Sequence, residues 1–296
     1  MGEEVVALEM LKQYLQRAGE NTVIDLHLVV RFEASHRMMR DLISVVLGHI
    51  HRSRTIVCHT TVAQFMDAIF PLAGPFPSLE NLEVCLVHAD HHPVTLLGHD
   101  CVSSLQTLNI DGNLGVELSN VQTELLTRLD IFNPTALLPV AFGQLLRRCP
   151  NLQSLCSDTL LPEVTTPIHL PHLTHLVTGT SFPLPASLIS APQLRHLRIF
   201  DRAEGHTADV IPARFEELRT VEIAYVYASP DDVIRFLRSH SKLVAITLMF
   251  DRALPILRSL ARRYTLEREA QEVILTLETS RCSCPSLRTE IHLVVP

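Results

Sequence analysis

The hydrophobic positions of this chain follow one short pattern that recurs along most of its length. The pattern is Leu-x-x-Leu-x-apolar, with clear copies at residues 79–84, 105–110, 126–131, 194–199, 218–223 and 243–248 and weaker copies at 152–155 and 173–176. The first leucines of successive copies are 21 to 26 residues apart. The last two apolar positions of a copy alternate with polar ones, which is the period of a strand buried on one face. The pattern therefore predicts one short strand per copy, entered through a leucine.

Helical periodicity fills several of the segments around these strands. Between copies, amphipathic helices are predicted over 136–148 and 230–238; the second carries acidic residues in its first turn and arginine in its last, as the helix dipole favours. Before the first copy, the pattern predicts a helix over 3–17 that stops at Gly19, a strand over 23–30, a helix over 34–49 and a strand over 55–58. After the last copy, it predicts a helix over 254–263 and strands over 273–278 and 291–295.

Repetition at this spacing is typical of leucine-rich repeats, whose units are about 20–29 residues long. One strand and one connector cannot bury their own apolar side, so stacked units share a continuous core. We therefore predict an α/β fold, a curved leucine-rich-repeat solenoid with parallel strands on its concave face and helices or irregular connectors on its convex face. The prediction is a single domain over 1–296, with degenerate capping repeats at 1–70 and 251–296 and regular repeats at 71–250.

Composition narrows the class of protein. Leucine occupies 47 of the 296 positions, and the seven cysteines have irregular spacing, which indicates reduced thiols rather than a disulfide framework. A net charge of −7 does not provide the basic face that nucleic-acid binding requires. The N-terminal segment is acidic where a signal peptide is basic, and the apolar runs are too short for a membrane span. We therefore predict a cytoplasmic or nuclear protein that binds neither nucleic acid nor a membrane.

Residues with catalytic or metal-binding chemistry show no recognised arrangement. The densest stretch contains His88, His91, His92, His99 and Asp100. Its spacing matches none of the zinc patterns, and Cys282-Ser-Cys284 has no second cysteine pair near it in the sequence. The chain also lacks a phosphate loop, a nucleophile elbow and a zinc-protease helix. We predict no cofactor, no metal and no enzymatic activity; a metal-dependent enzyme is the less favoured alternative.

The residues between the buried positions of each strand are expected to face solvent on the concave surface. From this row we select as candidate binding residues Arg128, Asp130, Phe132, His175, His196, Arg198, Phe200 and Glu222. Aromatic side chains beside arginine are frequent in interface hot spots. The sequence equally allows the two phenylalanine rings to pack against adjacent strands. We therefore expect a protein partner on this surface and an interaction scaffold as the function.

Residues 74–82 (Gly-Pro-Phe-Pro-Ser-Leu-Glu-Asn-Leu), 145–155 and 189–197 resemble the repeats of fungal F-box leucine-rich-repeat proteins, especially those of mushroom-forming fungi. Residues 11–28 and 48–56 resemble the segment that follows the F-box in that family. The resemblance implies the substrate-recognition part of a ubiquitin-ligase receptor, which reaches a cullin-type ligase through its adaptor if an F-box is encoded upstream. No Leu-Pro-x-Glu type motif precedes Met10. A free-standing repeat protein and a degenerate or partial copy of an F-box gene are therefore kept as alternatives.

Overall fold

The structure is a computed structural model of the 296-residue chain. It describes residues 2–30, 36–61, 65, 69, 76–86, 104–112, 123–132, 139–160, 167–180, 189–201, 215–224, 236, 239–240, 242–249, 272–278 and 288–294. The chain divides into two compact units, Met1–Leu138 and Pro139–Pro296, and parallel strand pairs dominate each of them. The predicted α/β class is confirmed, while the single repeat domain over 1–296 stays a prediction.

The first unit alternates helices with strands at its start and then continues with strands. Its described elements are α1 (Gly2–Arg17), β1 (Ile24–Val30), α2 (His36–Leu47), a 3-10 helix (Ile50–Arg52), β2 (Ser53–Thr60), β3 (Asn81–Leu86), β4 (Thr107–Gly112) and β5 (Arg128–Phe132). The strands pair in parallel in chain order, from β1 to β5. The elements predicted before residue 60 are confirmed to within two residues at each end.

The second unit is built mainly from parallel strands. Its described elements are α3 (Pro139–Arg147), β6 (Ser154–Leu160), β7 (Ile168–His169), β8 (His175–Thr180), β9 (Ile189–Ser190), β10 (His196–Asp201), β11 (Thr220–Ala224), β12 (Ala245–Met249), β13 (Glu272–Glu278) and β14 (Arg288–Val294). Parallel pairing runs β6-β8-β10-β11-β12-β13, and β14 pairs antiparallel with β13. The short strands β7 and β9, which the sequence pattern does not predict, form a separate parallel pair.

Predicted elements of the second unit agree with the structure where it describes them. Helix α3 lies within the predicted 136–148, and β13 and β14 match the strands predicted over 273–278 and 291–295. The helix predicted over 230–238 lies outside the described residues except for Phe236, which is helical, and the helix predicted over 254–263 lies outside them entirely. Among the described residues, no helix combines the length and the apolar character that crossing a bilayer requires.

Every copy of the motif enters its strand through a buried leucine. The first leucines are all at most 3% exposed and are Leu79, Leu105, Leu126, Leu152, Leu173, Leu194, Leu218 and Leu243. In seven of them the N–H donates to the carbonyl three residues earlier, as Leu79 does to Phe76 at 3.3 Å; the residue three positions before Leu105 lies outside the described ones. This tight turn directly precedes the strand and orients it so that the next apolar residue of the motif faces inward. Burial of these apolar side chains is the main favourable contribution to folding.

Strand register aligns the motif from one strand to the next. Leu82 of β3 is the Cα partner of Leu108 of β4, which is the partner of Leu129 of β5. In the second unit, Leu176 of β8 and Leu197 of β10 are partners in the same way. Because successive residues of a strand point to opposite faces, the residues between the leucines lie on the opposite face of each sheet. The register thus places the selected polar residues in rows.

Two glycines hold backbone conformations that other residues rarely adopt. Gly19 follows α1 with φ of 75°, and its N–H donates to the Gln16 carbonyl at 3.2 Å, which confirms it as the stop of that helix. Gly112 ends β4 with φ of 117°, where a Cβ atom would clash with the backbone of its partner Leu86.

Candidate functional site

Four of the selected residues come together in the second unit. His175 of β8, His196 of β10 and Thr220 of β11 are Cα partners across three strands, and Arg198 and Glu222 are partners two residues further along. Together with Thr247, these side chains line an open groove with a volume of about 340 Å³. We call this the His–Arg groove and define it by His175, His196, Arg198, Thr220, Glu222 and Thr247.

The two histidines of the groove form a stacked pair. Their ring centroids are 4.4 Å apart and the ring planes differ by 17°. A threonine hydroxyl fixes each ring through Nδ1: Thr174 Oγ1 lies 2.9 Å from that of His175, and Thr220 Oγ1 lies 2.7 Å from that of His196. The Thr174 hydroxyl donates its proton to the Gln153 carbonyl at 3.1 Å and therefore accepts from Nδ1–H of His175, whereas the Thr220 hydroxyl can donate to His196 or accept from it. The opposite ring nitrogen, Nε2, is then the atom of each ring left to a ligand.

Protonation of His175 is disfavoured in this setting. Partial burial removes solvent from its ring, and the nearby His196 and Arg195 would repel a second positive charge. These effects lower the pKa of His175 below its usual value of 6.5. At neutral pH the ring is therefore neutral in the unliganded protein.

Arg198 is placed between an aromatic ring and a carboxylate. Its guanidinium carbon lies 5.0 Å from the centroid of the Phe200 ring, within the range of a cation–π contact. Its Nε atom lies 3.1 Å from Glu222 Oε1, but Nε has no hydrogen-bond partner among the described residues, so the contact is an ion pair without good hydrogen-bond alignment. Phe200 itself is half-buried. Arg198 thus presents a charge that remains partly open to solvent.

The three remaining selected residues lie on β5 in the first unit, and one of them is not exposed. Asp130 is 4% exposed, so the prediction that it faces solvent is wrong. The reason is that Arg128 folds back over the carboxylate: its Nε and Nη2 atoms both lie 2.7 Å from Asp130 Oδ2. Arg128 is exposed and Phe132 is half-buried. A role in partner binding stays a prediction for these three residues.

Two cysteines lie on neighbouring strands, Cys58 buried on β2 and Cys85 half-buried on β3, and neither thiol is activated as a nucleophile. Burial raises the pKa of Cys58 to about 12, with a further contribution from Cys85. The pKa of Cys85 is raised by burial and by the nearby carboxylates of Asp111 and Glu83. The nucleophilic form of cysteine is the thiolate, which a raised pKa makes scarce. Their chemistry is that of small hydrophobic residues.

Thr220 and Thr247 line the groove but are not among the residues selected from the sequence. Both lie between the apolar positions of their motif copies, so the motif also assigns them to the solvent-facing row. A hydroxyl in a strand carries little signal by itself, and the contact with His196 depends on the pairing of β10 and β11.

Metal-ligating side chains do not gather in the part of the chain that the structure describes, where no three of His, Cys, Asp or Glu are placed to share an ion. The stretch from His88 to Asp100, together with Cys282 and Cys284, lies outside the described residues. Comparison with known proteins adds no assignment: no family model matches the sequence, and no curated protein is significantly similar to it.

Proposed function

We propose that this chain is a leucine-rich-repeat protein that serves as a non-catalytic scaffold, binding a protein partner on the solvent-facing side of its parallel strands. The supporting observation is the register of those strands. The motif leucines keep one face buried, as Leu176 and Leu197 do, while the residues between them differ from strand to strand. A constant core combined with a variable row of polar residues is how repeat proteins form extended binding surfaces.

The His–Arg groove provides the most specific contacts on this surface. A half-buried phenylalanine under a partly exposed arginine, as in Phe200 and Arg198, combines apolar area with charge. Arginine and aromatic residues are enriched among the few interface residues that contribute most of the binding energy. The described residues include no cluster of metal ligands, and the thiols of β2 and β3 are held protonated. Recognition is thus better supported than catalysis.

A more specific form of the proposal is a substrate receptor of an F-box-type ubiquitin ligase. It rests on the family resemblance of residues 74–82, 145–155 and 189–197, and it requires an F-box encoded upstream. The alternative is a free-standing scaffold in the cytoplasm or nucleus with no link to ubiquitination. The two differ in the proteins that accompany the chain in the cell.

Affinity capture from the native host, followed by mass spectrometry, tests both levels of the proposal. The double variant Arg198→Ala/Phe200→Ala should lose a partner that wild type retains, with a reduction of at least about tenfold for a pair of hot-spot residues. Arg147→Ala is the matched control, because Arg147 is an exposed arginine in the last turn of α3. Equal recovery of every partner by the double variant and the control would refute the proposed surface.

The identity of the captured proteins then decides between the two forms. A cullin and its adaptor, recovered with the wild-type chain, would support the ligase receptor. A different partner, lost in Arg198→Ala/Phe200→Ala and recovered without ligase subunits, would support the free-standing scaffold. Circular dichroism of both variants should match wild type, because Arg198 and Phe200 lie on the partly exposed face and not among the buried motif leucines.

A further inference from the structure

The His–Arg groove is large enough to hold a side chain of a partner. Its volume of about 340 Å³ lies at the lower end of ligand-binding sites, which occupy about 300–1,000 Å³. Its walls come from β8, β10, β11 and β12 and combine the polar and charged side chains that define the groove with apolar ones such as Val177 and Val221. The two imidazole rings present Nε2 atoms as donors when protonated. These imidazole groups and the guanidinium of Arg198 can bind a carboxylate, and the apolar side chains can contact the stem of the residue that carries it.

The charges around the histidine pair favour an anion. Six charged side chains interact with the pair or with its neighbouring carboxylates. Four are cations, Arg195, Arg198, Arg219 and Lys242, and two are the carboxylates themselves, Glu217 and Glu222. Lys242 pairs with Glu217, and Arg198 pairs with Glu222. Cations therefore remain in excess among these described residues even before either histidine ring is counted.

Proton uptake is the expected consequence of placing an anion there. In the unliganded protein, partial burial, the neighbouring His196 and the positive charge of Arg195 oppose the protonation of His175. A bound carboxylate beside the rings offsets that repulsion, so the pKa of His175 rises on binding. Because the bound state then holds more protons than the free state, affinity must increase as the pH falls through the histidine range.

We propose that the His–Arg groove binds an acidic segment of the protein partner, holding one aspartate or glutamate side chain against the stacked His175–His196 pair. This inference rests on the proposed function, since it names the chemistry of the partner at the same surface. A nucleic acid fits less well, because phosphate backbones are bound by rows of lysine and arginine, and Arg198 is the one such residue among those that line the groove.

Fluorescence anisotropy of a rhodamine-labelled oligoaspartate peptide with the full chain tests the proposal. Aspartate stays ionised from about pH 8 to about pH 5.5, while histidine changes its charge in that interval. Wild type should bind the peptide roughly tenfold more tightly at about pH 5.5 than at about pH 8, which corresponds to one pKa unit of restored protonation. Circular dichroism at both pH values establishes that the chain remains folded.

The double variant His175→Gln/His196→Gln should lose this pH-dependent gain, because glutamine keeps polar atoms in the groove but cannot be charged. His172→Gln is the matched control, since His172 is exposed and does not line the groove. Binding that is independent of pH in wild type, or a gain that persists in the double variant, would overturn the proposal.

The oligoaspartate experiment and the partner-capture experiment can fail independently of each other. Capture of a partner that depends on Arg198 and Phe200 but not on pH would leave the scaffold intact and refute the acidic segment. Conversely, pH-dependent binding of oligoaspartate, lost in the double variant and kept in His172→Gln, would support the anion site even if no cellular partner were captured.

Discussion

Arg52 joins the end of α1 to the start of β2 and offers a direct test of how the first unit is held together. Its guanidinium donates to the carbonyls of Leu15 at 3.1 Å and Thr22 at 3.3 Å, and also to that of Gly19. Arg52 is only 7% exposed. The last four carbonyls of a helix lack intrahelical partners, and the C-terminus of the helix favours a positive charge. Arg52 thus serves as the C-terminal cap of α1.

Replacement by methionine keeps an apolar stem and removes the guanidinium. Gly19 and Thr22 are exposed, so water can replace the arginine at their carbonyls, whereas Leu15 is 2% exposed and its carbonyl loses this partner. An unsatisfied buried polar group costs about 1–3 kcal/mol, and the lost interaction with the helix dipole adds about 0.5 kcal/mol. Relief from burying a charge offsets part of this cost. We expect Arg52→Met to lower the free energy of unfolding of the first unit by about 2 kcal/mol.

Urea unfolding combined with hydrogen exchange of the α1 amides measures this effect. The matched control is Arg54→Met, because Arg54 is exposed and pairs with Asp25 at 2.7 Å, a type of surface ion pair that contributes about 0–1 kcal/mol. Exchange in α1 should accelerate in Arg52→Met and stay close to wild type in the control. Equal stability of the two variants, with α1 equally protected in both, would refute the capping role.

Three further predictions concern single positions. Burial and the charge of Arg52 lower the pKa of His49, whose Nδ1 accepts from Arg52 at 3.1 Å. The neutral His49 ring therefore stabilises the folded state fully above about pH 6.5, and this contribution is lost as the pH falls through the pKa of the folded state. On acidification, the urea midpoint should drop more in wild type than in His49→Gln. Thr178 Oγ1 is buried without a hydrogen-bond partner among the described residues. Thr178→Val should therefore raise the free energy of unfolding by about 1 kcal/mol, measured as a higher thermal midpoint, and Thr178→Ser should not. Gly112→Ala should cost about 2 kcal/mol or more in urea unfolding, since φ is 117° and a Cβ atom would clash with Leu86; unchanged stability would contradict that geometry.

The period of the apolar residues was enough to predict most strands. Leucine at a fixed phase both enters the strand and supplies its buried face, so pattern and structure agree from Leu79 to Leu243. The pattern weakens where a core position is polar: Ser157 and Thr178 occupy the third apolar position of their copies and are nevertheless buried as neighbours in register. The two-residue strands β7 and β9 are too short to carry any period.

The candidate site could be predicted only in part, because contacts depend on register. Steps of 21 residues in the same phase place His175 and His196 on adjacent strands, and the sequence supports that much. The stacking of the two rings and their threonine partners requires coordinates. Burial of Arg52 was not predictable from the sequence, because its partners are backbone carbonyls: that of Leu15 in the last turn of α1 and those of Gly19 and Thr22 just after the helix.

The two arginine–carboxylate pairs on selected strands differ in their availability to a ligand. Asp130 is buried, its Oδ1 atom has no hydrogen-bond partner among the described residues, and Arg128 supplies the charge that offsets its burial. Drawing Arg128 to a partner would leave a buried carboxylate unpaired, which is costly. Arg198 and Glu222 have side chains that are 40% and 33% exposed, and exposed pairs of this kind contribute little stability. A ligand carboxylate can therefore displace Glu222 from Arg198 at small cost, which favours the His–Arg groove over β5 as the proposed binding surface.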